Sequence, residues 1–245
     1  LDSALADAHA SLALARMYGA WDFTGAEQEF ETAIALDPDY PIARYWYAEL
    51  LMVLGRYDEA VEQARRGVEL APAAAIAQHL LGWALLGAGS RDSGLAAERR
   101  AVELEPDFLF PYGALASAAV RDGRYEEAER LWLRGGTPPP IARAAILYAQ
   151  DPGNQARAIE LIGELVGGGT PPDPANVAIA YGAIGAADSA AAWFERGVEQ
   201  RTELTLLTIW DAYYAPEVVS DPRILELQRR MGLPVPRPGG QAADR

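Results

Sequence analysis

Four prolines, Pro38, Pro72, Pro106 and Pro140, stand 34 residues apart. This period constrains the fold more than any other feature of the chain. Proline has no backbone N–H to donate and turns the residue before it away from helix, so each one closes a helix. Between the prolines the sequence repeats. Gly-Arg-Tyr-Asp-Glu-Ala at Gly55–Ala60 returns as Gly-Arg-Tyr-Glu-Glu-Ala at Gly123–Ala128, two periods later. The stretch Arg44 to Pro72 is the clearest copy. Tyr45, Trp46, Leu50, Leu51 and Leu54 belong to one amphipathic helix that ends at Gly55, and a second helix runs Val61 to Leu70. Helices this short are marginal alone in water, so the pair must bury its apolar faces against neighbours. A fixed period supplies those neighbours as copies of the pair, stacked in line.

The residues at matching positions extend the pattern. One known repeat family has a motif with a small residue where two helices cross, an alanine followed four residues on by a large apolar residue, and a proline closing the unit. Ala26, Phe30 and Pro38 fit, as do Ala48, Ala60 and Pro72, then Leu81, Gly82 and Pro106. Leu115, Ala116, Ala128, Trp132 and Pro140 continue it, and Ala178, Tyr181, Ala190 and Phe194 make the last clear copy. On these residues the chain resembles the tetratricopeptide repeat (TPR) family over residues 5–200. The resemblance implies an all-α, right-handed α-solenoid of about six TPR-like helix-turn-helix repeats plus a C-terminal capping helix. The units would be 5–38, 41–72, 75–106, 109–140, 141–170 and 174–200, followed by capping helices over 201–233 and a Pro/Gly-rich tail at 234–245.

Departures from the period are informative. The link Tyr18–Phe23 is out of register with later copies, as one inserted residue would make it. The third copy replaces the Gly-Arg-Tyr string by Gly89-Ser90-Arg91-Asp92-Ser93-Gly94. Glycine at 94, where other copies have alanine, is expected to cost ~1 kcal/mol of helix propensity. Residues 135–140 and 167–172, rich in Gly and Pro, read as plain connectors with a hinge as the alternative. Leu204–Tyr214 is aromatic-rich, and Asp221-Pro222 starts a closing helix with a capping carboxylate and proline at its first position.

Composition narrows the function classes. The net charge is −14, with 35 acidic and 21 basic residues, which disfavours nucleic acid and favours a basic partner. There is no cysteine, which excludes disulfides and thiolate metal sites and leaves the compartment open. No apolar run approaches the ~18 residues of a membrane span. His9 and His79 are 70 residues apart on different first helices and share no metal site. No nucleophile has a recognisable base beside it. No cofactor, metal or catalytic residue is expected.

What remains is a surface. In the family this chain resembles, the first helix of each pair lines a concave groove that takes peptides or protein segments. Helical spacing puts Tyr45, Glu49 and Met52 on the exposed side of one first helix, and His79, Trp83 and Leu86 on the next. On the third it puts Phe110, Gly113, Ser117 and Arg121. The family's best-known peptide binders hold a terminal carboxylate with Lys, Arg and Asn. This chain has no lysine, and its asparagines, Asn154 and Asn176, lie off these helices. The expected partner is therefore an extended apolar or arginine-containing protein segment. Two alternatives stand beside it. Tyr45 and Trp83 could simply pack inside the array, and the chain could be a structural subunit that forms a homo-oligomer or filament through its ends and tail. The arrays it most resembles, with Trp21-Asp22-Phe23 and the closing Asp221-Pro222-Arg223 helix, are C-terminal parts of larger bacterial regulators. A chain beginning at Leu1 rather than methionine is compatible with that.

Overall fold

A computed structural model describes residues 3–168, 172–202 and 216–234. The described residues form helices and turns without a strand. Leu204–Tyr214 and residues 235–245 lie outside them. The chain divides into two compact units, Leu1–Pro111 with Gly232–Arg245, and Tyr112–Met231.

The first unit contains α1 (Ser3–Leu14), a π-helical turn (Ala15–Ala20), α2 (Phe23–Leu36), α3 (Pro41–Val53), α4 (Tyr57–Leu70), α5 (Ala75–Gly87) and α6 (Arg91–Leu104). Consecutive helices pair as α1 with α2, α3 with α4 and α5 with α6, and each pair packs on the next. The π-turn falls where the sequence is out of register. A π-turn holds one more residue than an α-turn, so it absorbs the insertion without breaking the helix. Trp21 then takes a left-handed φ of 56°, and Asp22 caps α2 by accepting the Gly25 N–H at 2.9 Å.

Four of the later turns within helix pairs are built alike, while that between α9 and α10 is a 3-10 turn at Pro152–Asn154. Gly55, Gly89, Gly123 and Gly185 adopt φ of 70°, 80°, 71° and 68°. The residue after each donates back to the end of the preceding helix: Arg56 to Leu51, Ser90 to Leu85, Arg124 to Ala119 and Ala186 to Tyr181, at 2.8 to 2.9 Å. This is the glycine-terminated helix ending, which needs the left-handed residue but little from its neighbours. The third copy's turn, degenerate in sequence, is thus regular in geometry.

Small residues mark the crossings. Ala26, Ala48, Ala60, Ala116 and Ala128 are fully buried. Gly94 corrects the sequence reading, which counted it only as a loss of helix propensity. A Cβ added there would lie 2.7 Å from Leu86 Cγ and 2.9 Å from the Gly82 carbonyl oxygen. Here α6 approaches α5 more closely than alanine allows.

The second unit contains α7 (Pro111–Arg121, whose first residue belongs to the first unit), α8 (Tyr125–Arg134), α9 (Pro139–Gln150), α10 (Gln155–Gly167), α11 (Pro174–Ala183), α12 (Ala187–Gln200), the short α13 (Pro216–Val219) and α14 (Pro222–Arg230). Ile162, Tyr181, Ile184, Val218 and Ile224 share its core. Asp221 caps α14 by accepting the Arg223 N–H at 2.9 Å, and α14 lies on α12 with Ile224 and Leu227 inward and Arg229 and Arg230 in solvent. No helix among the described residues is long and apolar enough to cross a membrane.

Candidate functional site

The predicted groove residues part company in the structure. On α3, Tyr45 and Met52 are buried, only 8% and 1% exposed, which corrects their assignment to an exposed face. The reason is that α3 packs against α1, α2, α4 and α5. A helix surrounded in this way has almost no free side, and an i, i+4, i+7 row read from sequence cannot show it. Tyr45 fills the space over Gly67 of α4, where an added Cβ would sit 3.5 Å from its own, and its ring meets Trp46 edge-on at 6.2 Å. Glu49 is half-buried and accepts the Tyr18 hydroxyl at 2.6 Å. Leu86 is half-buried and covers the crossing at Gly94. Ser117, half-buried, and Arg121, exposed, lie in the second unit.

His79, Trp83 and Phe110 do come together. His79 and Trp83 are one turn apart on α5, so their rings share a face. The loop after α6 turns at Glu105-Pro106-Asp107, where Phe108 N–H donates to the Glu105 carbonyl at 3.0 Å, and it carries Phe108 and Phe110 against that face. Phe110 stands on this loop, just before α7, rather than on the helix. The imidazole of His79 is central. Its ring stacks on Trp83 (centroids 6.3 Å, interplanar 18°), meets Phe108 edge-on (5.6 Å, 78°) and lies tilted to Phe110 (5.8 Å, 32°), while Phe108 and Phe110 are 5.4 Å apart. These are favourable aromatic geometries. Phe110 nevertheless remains 59% exposed, and its neighbour Leu109 45%.

Beneath the rings is a buried ionisable group. Nδ1 of His79 lies 2.9 Å from Oε2 of Glu98 on α6, and Glu98 has no solvent exposure. The other carboxyl oxygen, Oε1, has no hydrogen-bond partner. Burial pushes the Glu98 carboxyl above its ordinary range, and His79 opposes that shift. Space for the carboxyl comes from Gly82, where an added Cβ would lie 2.9 Å from it. Sequence reasoning missed both Glu98 and Phe108. A signal for Glu98 existed: it stands in the 34-residue column of Phe30, Ala64 and Trp132, the only charged residue there. Phe108 stands two residues after the closing proline, in the column of Tyr40 and Ala74, and that column lies ahead of the first helices from which the groove was read.

Comparisons with known proteins agree with this architecture. Residues 17–84 match the family described as tetratricopeptide repeat. A search of curated proteins found no match. Among solved structures, a tetratricopeptide repeat protein from Parabacteroides merdae superposes with a TM-score of 0.61 at 19% identity, covering 83% of this chain and 84% of that one. PilW, described as a widely conserved type IV pilus biogenesis factor, gives 0.57 at 20% identity, covering 82% and 97%. A mutant O-GlcNAc transferase of Thermobaculum terrenum gives 0.50 at 25% identity, covering 54% of this chain but only 26% of the enzyme. The repeat match is confined to residues 17–84, and the likeness to the solved structures shows the tetratricopeptide-type fold of paired helices.

Proposed function

We propose that this chain is a protein-interaction scaffold that seats a segment of a partner protein on the ring cluster of α5 and the 105–110 loop. The observation that carries this reading is Phe110, 59% exposed within a cluster of packed rings that already holds its position. A large aromatic surface fixed before binding loses little side-chain freedom on contact, and such residues dominate interface energies. The net charge of −14 favours a segment that is basic as well as apolar. Selection of binding segments from a displayed peptide library tests the reading. Segments that bind the parent are expected to lose binding on Phe110→Ala and on Trp83→Ala, with helicity kept in both. The proposal fails if no segment binds, or if the selected segments bind the variants equally well.

A second reading, assembly of copies of the chain, is favoured by α1. Leu5 and Leu12, two turns apart, are 44% and 43% exposed, with Ala8 exposed between them. An apolar row at the outer face of a repeat array is a surface for another array. Light scattering over a concentration series decides it: a mass that rises with concentration in the parent and not in a Leu5→Glu, Leu12→Glu variant supports assembly.

A further inference from the structure

On the reading that the ring cluster is the docking surface, we propose that the His79–Glu98 pair is a proton-linked latch. It holds Phe108 and Phe110 against α5 while the pair keeps a proton, and it lets them go when that proton is lost.

The inference starts from an incomplete ion pair. Glu98 is fully enclosed, makes one hydrogen bond and leaves Oε1 without a partner. The first repeat shows how such a pair is completed. There His9 Nδ1 lies 2.6 Å from Oε2 of Glu29, and the other oxygen of Glu29 takes the Arg16 guanidinium at 3.4 Å. Arginine stays charged at any working pH, so Glu29 keeps a counter-charge whatever His9 does. Glu98 has His79, and no other charged group among the described residues acts on its carboxyl.

The surrounding elements bring no substitute. On α6 itself Arg99 and Arg100 are exposed, and Arg100 pairs with Glu103. On the loop Glu105 and Asp107 are exposed and acidic. On α3 Arg44 is bonded to Gln63, Tyr45 is enclosed, and Glu49 takes Tyr18. On α4 Glu62 and Arg65 are exposed, while Arg66 is held by Asp39 and Glu69.

With one proton shared, the pair is neutral overall, whichever of the two groups carries it. Once that proton leaves, a carboxylate remains in an apolar crossing with a neutral imidazole as its only donor, a state that burial strongly disfavours. Water can relieve it by reaching the pair, and the rings of Phe108 and Phe110 are what cover His79 on its loop side. Ring order and proton occupancy are then one equilibrium. Burial raises the Glu98 carboxyl above 4.5, so the folded state binds the proton more tightly than the unfolded chain does. Order holds while the pair keeps its one proton and is lost as pH rises through the folded value. A docking surface that exists only while ordered inherits this dependence.

The test needs no partner. NMR of the full chain from pH 5 to 9 would follow the His79 ring and the Phe108 and Phe110 rings together. The parent is expected to show all three moving with one midpoint, with the His79 and Phe110 rings separating above it. Glu98→Gln keeps an acceptor without a titrating charge and is expected to abolish that separation. Should that variant fold poorly, Glu98→Leu places an apolar residue in a column that already holds Phe30, Ala64 and Trp132, and it is expected to be equally insensitive. Phenylalanine rings that ignore pH in the parent, or that titrate identically in whichever of the two variants folds, overturn the latch. A selected library segment adds the second arm: about tenfold weaker binding for each pH unit above the midpoint in the parent, and unchanged binding in the Glu98 variant. If the rings titrate but no segment binds, the latch stands and the docking reading falls. If segments bind with no ring titration, the reverse holds.

Discussion

The second and third helix pairs share a period, a turn and a backbone path, yet they fill the same positions with opposite chemistry. In α3–α4 the first-helix position holds Tyr45 and the facing column holds Ala64, both buried. One period later those positions hold His79 and Glu98. The helix crossing changes in step, from Ala48 and Ala60 to Gly82 and Gly94. The first arrangement is a plain core. The second encloses a carboxylate, draws its two helices closer and turns a row of rings outward. A repeat scaffold fixes where side chains project and leaves their chemistry open, so one column can change its chemistry without changing the fold.

That contrast can be broken most severely at Tyr45. Because it is core rather than groove, Tyr45→Ala is expected to cost on the order of 3 kcal/mol, as truncation of buried aromatic residues does. Chemical denaturation measures it, and a loss below about 0.5 kcal/mol, the range of surface substitutions, would return Tyr45 to the groove. The crossings come next. Ala60→Leu is expected to cost about 1–3 kcal/mol by overpacking, and Gly94→Ala a similar amount through its contact with the Gly82 carbonyl, despite the helix propensity gained. A Gly94→Ala protein as stable as the parent would show that the two crossings are equivalent after all.

A smaller effect tests the buried charge. Glu98→Leu, which makes the third pair resemble the second, is expected to stabilise by about 1 kcal/mol at neutral pH, in keeping with apolar replacement of buried ionic groups. The sign with pH follows from the raised carboxyl. The folded parent holds its proton more tightly than the unfolded chain, whose carboxyl titrates near 4.5, so the parent loses stability as pH rises above that value. The advantage of Glu98→Leu should shrink as the pH is lowered toward 4.5, and thermal melts across that range would show it. An advantage that grows toward acid contradicts the assignment. Smallest of all, Phe110→Ala is expected to change stability by no more than about 0.5 kcal/mol, since most of its ring is already in water. A larger loss would make Phe110 part of the core and remove the proposed docking surface.

Part of the site was legible before the structure. His79 and Trp83 fall on one helical face, as their spacing indicates, whereas Phe110, expected on the next first helix, reaches them from the loop before it. Tyr45 and Met52 satisfied the same spacing and are buried, because periodicity identifies faces and does not count the elements packed on them. Glu98 was visible as a departure within its column, but its meaning depended on meeting His79 across two helices.

Local chemistry therefore determined the framework. Prolines at a constant interval, turn glycines able to take positive φ, and apolar residues at helical spacing act over a few bonds and set the repeat and most helix endings, although Pro140, expected to close a helix, lies in the first turn of α9. The inserted residue before Trp21 was readable as a register shift, while its form as a π-turn was not. Tertiary structure decided what depends on distance between segments: the enclosure of α3, the close approach at Gly94, the loop that returns Phe108 and Phe110 to α5, and the carboxylate of Glu98 beneath His79. Burial and electrostatics depend on every neighbour in space, and those neighbours exist only once the helices have packed.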